Sequence, residues 1–522
     1  MNNRSLHRGG WWACASGFLL ALAYPRADFG LVAFAALAPF LLSLQDVPPA
    51  SALWRGYLCG FAFFASLLDW IPRVMEVYGG LPLPLAWLVL LLLVFYLATY
   101  VALFALLVAA SSRRLGALSL VAAPVAWVGL EIARGRLLTG FPWGLLGYTQ
   151  YRNIPLLQVA AWGGIYAVSF LVLAANAGLA LLLLRPATQG QRIGGAALIL
   201  LVALAYASGG LALRAAEGRP QNEAIPVAAI QANVAQDRKW NPGGEAQILS
   251  DLVRLTRQAS GARLIVWPES SSPFSFRRPV QGGASRITVE TDAAYLSVVT
   301  DLARSLDATL IVGSVDYAAN NGDVRATNSA FAVGPDGSLL ASYDKIHLVP
   351  FGEYVPLHRL LFFVDRMARG AIADFGPGTR FAPLPTAAGR AATFICYEAI
   401  FPEVVRRIAN KDAAFLVNIT NDAWFGKSAA PRQHLAMAAV RAAENRRFMV
   451  RAANTGISAI VDPYGRILAR TSLMESAVLR GVVRPRADRT PYTRAGDVFA
   501  WGCAILTLLH GAALRAAFLR RG

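Results

Sequence analysis

The sequence predicts a membrane-embedded α-helical bundle of about eight spans that carries an α/β domain built on mixed sheets. Of its 522 residues, 56% are hydrophobic and 15% charged, and the mean hydropathy is +0.46. The chain is therefore far more apolar than a soluble protein of this length. Long uncharged runs fill the first 215 residues, and after Arg214 the character changes to a segment that holds most of the acidic side chains.

Leu81 to Ser112, 156 to 184 and 194 to 213 contain no charged residue. Each is long enough to cross about 30 Å of hydrocarbon at about 1.5 Å per residue. Shorter candidate spans lie at 10–24, 29–45, 54–71, 117–133 and 496–514. The expected domains are 1–215, a helical region of about seven spans; 222–487, the α/β domain; and 494–518, a C-terminal span. Arg4 and Arg8 ahead of Trp11 to Tyr24 have the layout of a secretory signal peptide. More spans follow at once, so a retained first helix is expected.

With the N-terminus in the cytoplasm, Arg55, Arg113, Arg114, Arg185, Arg192, Arg520 and Arg521 all fall on the cytoplasmic side, as the positive-inside rule requires. The polar domain then faces outward. The formal net charge of +18 raises nucleic acid as a partner, but the arginines are scattered over loops and helix ends rather than gathered in one stripe. That distribution fits anionic phospholipid headgroups. Lysine is used only four times, at Lys239, Lys345, Lys411 and Lys427, so a lysine in this arginine-rich chain is itself informative.

Within the polar domain, short β-branched runs at 226–231, 263–267, 309–315, 393–397 and 415–419 suit buried strands. Segments 244–260, 291–306 and 402–410 have helical spacing. Two hairpins are expected, Ser329 to Leu340 turning at Pro335-Asp336-Gly337 and Ile457 to Leu468 turning at Asp462-Pro463-Tyr464-Gly465. Mixed order of strands and helices with added hairpins gives a layered α/β domain. The polar stretches 270–285 and 357–378 are candidates for a lid.

Three of the four cysteines, Cys14, Cys59 and Cys503, sit in apolar runs, where a thiol behaves as a small hydrophobe. Cys396 instead ends the run Thr393-Phe394-Ile395, has no disulfide partner in its own domain and precedes a helical pattern opening at Pro402. Glu269, after Trp267-Pro268, and Lys345, after Tyr343-Asp344, also stand at strand ends. Each has an ordinary explanation alone: a solvated carboxylate, an exposed lysine, an inert buried thiol. Together they supply a base, a cation and a nucleophile. A thiol of ordinary pKa ~8.5 is mostly protonated at neutral pH and needs such neighbours to react. The Lys345 ammonium and the Tyr397 backbone N–H would also stabilise a developing oxyanion.

The contexts WPES, YDKIHLVPFGEYVP and FICYE, in that order, resemble the nitrilase superfamily. The flanking spans, with Gly140-Phe141-Pro142-Trp143 and Asn421-Asp422-Ala423-Trp424-Phe425-Gly426, narrow the resemblance to the apolipoprotein N-acyltransferase family. It implies a nitrilase-like α-β-β-α sandwich, no cofactor and no metal. Glu269 would be the general base, Lys345 the oxyanion-stabilising cation and Cys396 the nucleophile. Glu353 would orient or balance Lys345, while Tyr397 and Glu398 match positions the family needs. Trp240, Trp143 and Trp424 would lie near the substrate mouth.

The implied reaction moves an acyl chain from a phospholipid, phosphatidylethanolamine, through a Cys396 thioester to the α-amino group of a diacylglyceryl-cysteine on an apolipoprotein. The implied setting is a monomer in a bacterial inner membrane with its catalytic domain in the periplasm. A membrane-tethered amidase using the same three residues is the alternative. A noncatalytic scaffold or transporter explains the spans but leaves the constellation unexplained. Phe425-Gly426-Lys427-Ser428 lacks the first glycine of a phosphate loop, Asn421 standing there. His347 and His434 lack zinc spacing.

Overall fold

The computed structural model describes residues 3–218, 222–239, 243–282, 286–320, 323–355 and 375–520. Trp240 and much of the two candidate lid stretches, 283–285 and 357–374, lie outside the described residues. The chain forms two units. One comprises Met1–Pro72, Leu83–Arg219 and Thr490–Gly522, the other Arg73–Pro82 and Pro220–Arg489.

The first unit is helical. By length and composition, four of its described helical stretches can cross a membrane: Leu83–Arg134, Ala160–Leu183, Gln189–Glu217 and Val498–Ala517. The pair Pro49–Leu67 and Ile71–Val77, bent by 50°, makes a fifth, and Gly9–Leu22 and Gly30–Ser43 are shorter apolar helices. Ala160–Leu183 is almost wholly buried and forms the centre of the unit. Gln189–Glu217 and Val498–Leu519 instead turn apolar side chains outward, among them Leu211 and Leu508, 64% and 73% exposed. Leucine faces of that kind are stable only against hydrocarbon.

Asn176 inside the central helix is fully buried, and its amide does backbone work. It donates to the carbonyls of Ala33 (2.7 Å) and Val172 (2.8 Å) and accepts from Leu37 N–H (2.7 Å). It thereby satisfies groups freed where the helical run Gly30–Ser43 breaks.

The second unit stacks two sheets between helices. The larger has the order β13-β1-β2-β5-β6-β7, with β1 (Ile225–Gln231), β2 (Leu264–Val266), β5 (Thr309–Asn320), β6 (Asp323–Val333), β7 (Leu339–Asp344) and β13 (Ala477–Val483). β1, β2 and β5 run parallel, and the remaining neighbours pair antiparallel. The smaller has the order β12-β11-β10-β9-β8, with β8 (Ala391–Ile395), β9 (Phe415–Thr420), β10 (Met449–Ala453), β11 (Ala459–Val461) and β12 (Ile467–Arg470). β3 (Arg277–Gly282) and β4 (Arg286–Thr291) form a separate hairpin.

Helices Glu245–Gln258 and Ala293–Leu306 cover one face of the larger sheet. Ile248, Leu252, Val299 and Leu302 pack there on Ile230, Ile265, Val312 and Phe331. Helices Pro402–Ala409 and Ala430–Asn445 lie on the smaller sheet's side. The inner faces meet through small residues and through Gln231 of β1. Its Oε1 accepts from Ser458 Oγ (2.8 Å) and Thr471 Oγ1 (2.7 Å), and its Nε2 donates to the carbonyls of Ser472 and Glu475. A buried polar side chain with every group paired fixes how the two sheets register.

β8, β9, β2 and β7 all deliver their C-terminal ends to one region, where Cys396, Asn421, the Trp267–Glu269 segment and Lys345 follow directly. Gly313 in β5 is what lets this region close. A Cβ there would collide with the Pro268 carbonyl and lie 2.8 Å from Glu269 Cα. Gly313→Ala is therefore expected to displace Glu269, lowering stability by about 1–3 kcal/mol and acyl transfer more steeply than that loss alone accounts for. Thermal unfolding beside turnover on the purified variant measures both.

Candidate active site

Cys396 follows β8 with φ of +49°, a left-handed conformation that a residue bearing a Cβ rarely adopts. Ser270, next to Glu269, has φ of +43°, and Phe351, in the turn leading to Glu353, has φ of +61°. Three strained residues in one small region mark a backbone bent to aim side chains.

Lys345, 1% exposed, sits between two buried carboxylates. Its Nζ lies 2.8 Å from Glu353 Oε1 and 3.3 Å from Glu269 Oε1. Asn328 of β6 donates to the same two oxygens, at 2.7 Å to Glu269 and 2.9 Å to Glu353, and its carbonyl accepts from Lys345 N–H. The second oxygens are held by backbone: Glu269 Oε2 accepts from Asn421 N–H (2.7 Å) and Glu353 Oε2 from Val349 N–H (2.8 Å).

Burial alone would push the Glu269 carboxyl up. Lys345, the Asn328 amide and Lys239 outweigh it and hold the group below its usual range. Burial likewise works against the Lys345 ammonium, but Glu353 and Glu269 hold its pKa raised. The Cys396 thiol lies within reach of the charges of both the Glu269 carboxylate and the Lys345 ammonium. Burial, and then the charge of Glu269, push the thiol up. At rest the arrangement is an un-ionised thiol beside an ionised carboxylate.

Lys239 is the second lysine here. It is buried, and its Nζ donates to the Glu269 carbonyl at 3.4 Å. Burial pulls this ammonium down to about 8 against the opposing charge of Glu269.

Glu398, fully buried, organises the backbone around Cys396. Its Oε1 accepts from Tyr343 OH (2.8 Å), Ile346 N–H (2.8 Å) and His347 N–H (3.1 Å), and its Oε2 from Ile395 N–H (2.7 Å). One carboxylate thus ties the residue before Cys396 to the residues after Lys345. Tyr397 is half-buried, edge-on to Phe401 at 5.1 Å.

Behind Cys396 lies a group that sequence reading missed. His434 reaches the Cys396 carbonyl with Nε2 at 3.0 Å and Asp422 Oδ1 with Nδ1 at 2.9 Å. Asp422 also pairs with Arg451 at 2.8 Å and accepts from Thr420 Oγ1. Burial opposes its ionisation, but Arg451 and His434 hold the carboxyl down to about 2. Nothing in the spacing of Asp422, His434 and Arg451 announces this cluster. Its one signal was Asp422 standing directly after a buried strand and Asn421.

Of the aromatic candidates, Trp424 is half-buried in the turn Asp422–Phe425, edge-on to Tyr78 at 5.0 Å. Tyr78 also donates to the Ala423 carbonyl at 3.1 Å. Trp143 belongs to the helical unit, where it is buried beside Trp70 at 5.1 Å and its carbonyl accepts from Arg134. Trp240 is outside the described residues.

A two-sheet α/β unit whose strand ends gather a thiol, a carboxylate and a lysine defines a nitrilase-type enzyme of the carbon-nitrogen hydrolase class. The carbon-nitrogen hydrolase family model matches residues 226–492, and that of the apolipoprotein N-acyltransferase N-terminal domain matches 16–178. The chain is 42% identical over 518 residues to the apolipoprotein N-acyltransferase of Geobacter metallireducens, covering 98% of this chain and 95% of that one. It is 38% identical over 517 residues to that of Azotobacter vinelandii, covering 97% and 95%. Among solved structures it is similar to Saccharomyces cerevisiae Nit3 of the nitrilase superfamily, with 19% identity, a TM-score of 0.38 and coverage of 51% of this chain and 92% of that one. The chain belongs to the apolipoprotein N-acyltransferase family and is an acyltransferase.

Two outcomes follow from this geometry. Glu398→Gln replaces one of two accepting oxygens with an N–H₂ group that faces a donor, so a loss of about 2–3 kcal/mol is expected, against about 1 kcal/mol for Tyr343→Phe; denaturant melts distinguish them. Because Asp422 is depressed from 3.8 to about 2, it contributes roughly 2 kcal/mol above pH ~4 that is lost as pH falls through ~2. Asp422→Asn is expected to remove that acid step and to destabilise further at neutral pH by leaving Arg451 unpaired, which unfolding measured between pH 2 and 7 reads directly.

Proposed function

We propose that Cys396 carries the acyl chain as a thioester in a ping-pong transfer from a phospholipid, with phosphatidylethanolamine as donor, to the free α-amino group of a diacylglyceryl-cysteine at the start of an apolipoprotein. The observation that carries this reading is the gathering of Cys396, in a left-handed conformation at the end of β8, with Glu269 and a lysine fixed between two carboxylates.

In the first half-reaction Sγ attacks the ester carbonyl carbon and its proton passes to Glu269. The carbonyl oxygen becomes an oxyanion stabilised by the Lys345 ammonium and the Tyr397 N–H. The carbon–oxygen bond then breaks, and Glu269 returns the proton to the departing lysophospholipid oxygen. In the second, the amine attacks the thioester, Glu269 takes its proton, and the thiolate leaves and is reprotonated. Glu353 keeps Lys345 oriented, and Glu398 fixes the turn that presents Cys396. Trp424, with Trp143 and Trp240, serves the mouth through which acyl chains enter.

Residues 222–487 make up the catalytic domain in this reading, 1–215 and 494–518 its anchor. Eight crossings follow when Leu83–Arg134 divides at the 3₁₀ segment Gly116–Ala122 and the bent pair and both shorter helices each count as one. Arg113, Arg114, Arg185 and Arg192 then face the cytoplasm of a bacterial inner membrane and the catalytic domain faces the periplasm, the protein acting as a monomer. Anchoring both enzyme and substrates in one bilayer avoids drawing acyl chains into water, at about 0.8 kcal/mol per CH₂.

Incubated with phosphatidylethanolamine, the protein is expected to gain one acyl mass that hydroxylamine removes and that Cys396→Ala does not acquire. Adding a diacylated lipopeptide with a free amine should discharge the adduct into a triacylated peptide. Absence of the adduct from active protein, or release of free fatty acid without acylated peptide, would sink the transfer mechanism.

A further inference from the structure

The helical unit contains a groove of about 820 Å³ remote in sequence from every residue of the site above. It lies between the start of the first helix, the Ala35–Val47 region, the first turns of Pro49–Leu67 and the end of Ala160–Leu183. Its walls are apolar, with Trp12, Leu42 and Leu179 among them, but one end is charged. Arg55, 5% exposed, lines it there. The guanidinium donates to the Ser43 carbonyl, and among the described residues no carboxylate pairs with it. Space is kept for it by Gly9, where any Cβ would collide with the guanidinium.

A buried arginine with five N–H donors, held among the described residues by the Ser43 carbonyl, is an incomplete site. Beside it, Gln45 Oε1 is buried without a hydrogen-bond partner, and the exposed Asp46 carboxylate lines the same groove. Where Arg55 meets the Ser43–Asp46 stretch, the groove thus offers a cation and two acceptors within an otherwise largely apolar lining.

We propose that this groove holds a phospholipid as a bound, unreacting component, its phosphate on Arg55 and the ammonium of a phosphoethanolamine headgroup against Asp46 and Gln45. The charge order selects that headgroup. A glycerol headgroup brings no cation for Asp46, and a trimethylated ammonium has no N–H to give Gln45. The acyl chains lie along Trp12, Leu42 and Leu179. In the orientation proposed above the groove opens to the cytoplasmic leaflet, but the site itself does not depend on that orientation or on the acyl-transfer mechanism.

The test uses the full chain as Cys396→Ala, so that lipid is not consumed, with phosphatidylethanolamine carrying a photoreactive group near its headgroup, and maps labelled peptides by mass spectrometry. Label is expected on peptides spanning Gly9–Trp12 and Leu42–Val47, reduced roughly tenfold by Arg55→Met, as loss of a charge-assisted contact implies. Unlabelled phosphatidylethanolamine should compete better than phosphatidylglycerol, and Asp46→Asn, an exposed change, should erase that preference. The proposal is overturned by label absent from both peptides, by equal label in Arg55→Met, or by a preference that Asp46→Asn leaves intact. Displacement of the label by inorganic phosphate alone would also overturn it, marking a free-anion site. If Arg55→Met fails to fold, the Asp46→Asn comparison decides by itself.

Discussion

The position of Lys345 between Glu269 and Glu353 is the constraint on which the site is built. Three charges are withdrawn from water there, a situation that costs several kcal/mol per ion unless each finds partners. The structure provides them from four directions: Asn328 bridges the two carboxylates, Asn421 and Val349 cap their far oxygens, and the β6 backbone holds the lysine's own N–H. The Lys345 ammonium keeps Glu269 ionised, while burial and the charge of that carboxylate keep the neighbouring thiol protonated against the pull of the same ammonium. A proton acceptor and a proton donor in one neighbourhood are thus kept in opposite states by different causes.

The geometry at Cys396 has a separate origin. β8 ends in Ile395, whose N–H is held by Glu398, and the chain then turns through a left-handed residue whose carbonyl is taken by His434. Pinned on both sides, Cys396 cannot relax into the extended strand. The His434, Asp422 and Arg451 network behind it is buried and mutually paired, so strain at one residue is set against a rigid polar wall. Gly456 keeps that wall close, since a Cβ there would run into the Asp422 carboxylate.

Much of this was legible in the sequence, for reasons that differ by element. The apolar runs at 226–231, 393–397 and 415–419 correspond to β1, β8 and β9 within two residues, because fully buried strands must be continuously apolar. Both hairpins turn at the expected glycine-containing loops, β6 to β7 and β11 to β12. Glu269, Lys345 and Cys396 were readable as strand-end residues, and their side chains lie together. Glu398 was named from its place beside the nucleophile, but its four donors come from Tyr343, Ile346, His347 and Ile395, which only the fold assembles. Asn328 in mid-strand and His434 on a helix carried no local signal at all. The span count was less legible, since helices such as Gly30–Ser43 fall short of a full crossing, while Leu83–Arg134 carries the two runs expected at 81–112 and 117–133, with the 3₁₀ segment Gly116–Ala122 between its two α-helices.

The segment Arg73–Pro82 lies in sequence between two apolar helices yet folds as part of the α/β unit, where Tyr78 caps the Ala423 carbonyl and stands edge-on against Trp424. The enzyme unit is consequently discontinuous, with a short piece supplied from more than a hundred residues upstream. Excising 220–489 as a free-standing gene product would leave the Trp424 turn without its aromatic neighbour. Synthesis runs in the same order: the ribosome makes the capping tyrosine, then several membrane helices, before the turn it caps exists. The turn therefore closes on a tyrosine that was made long before it.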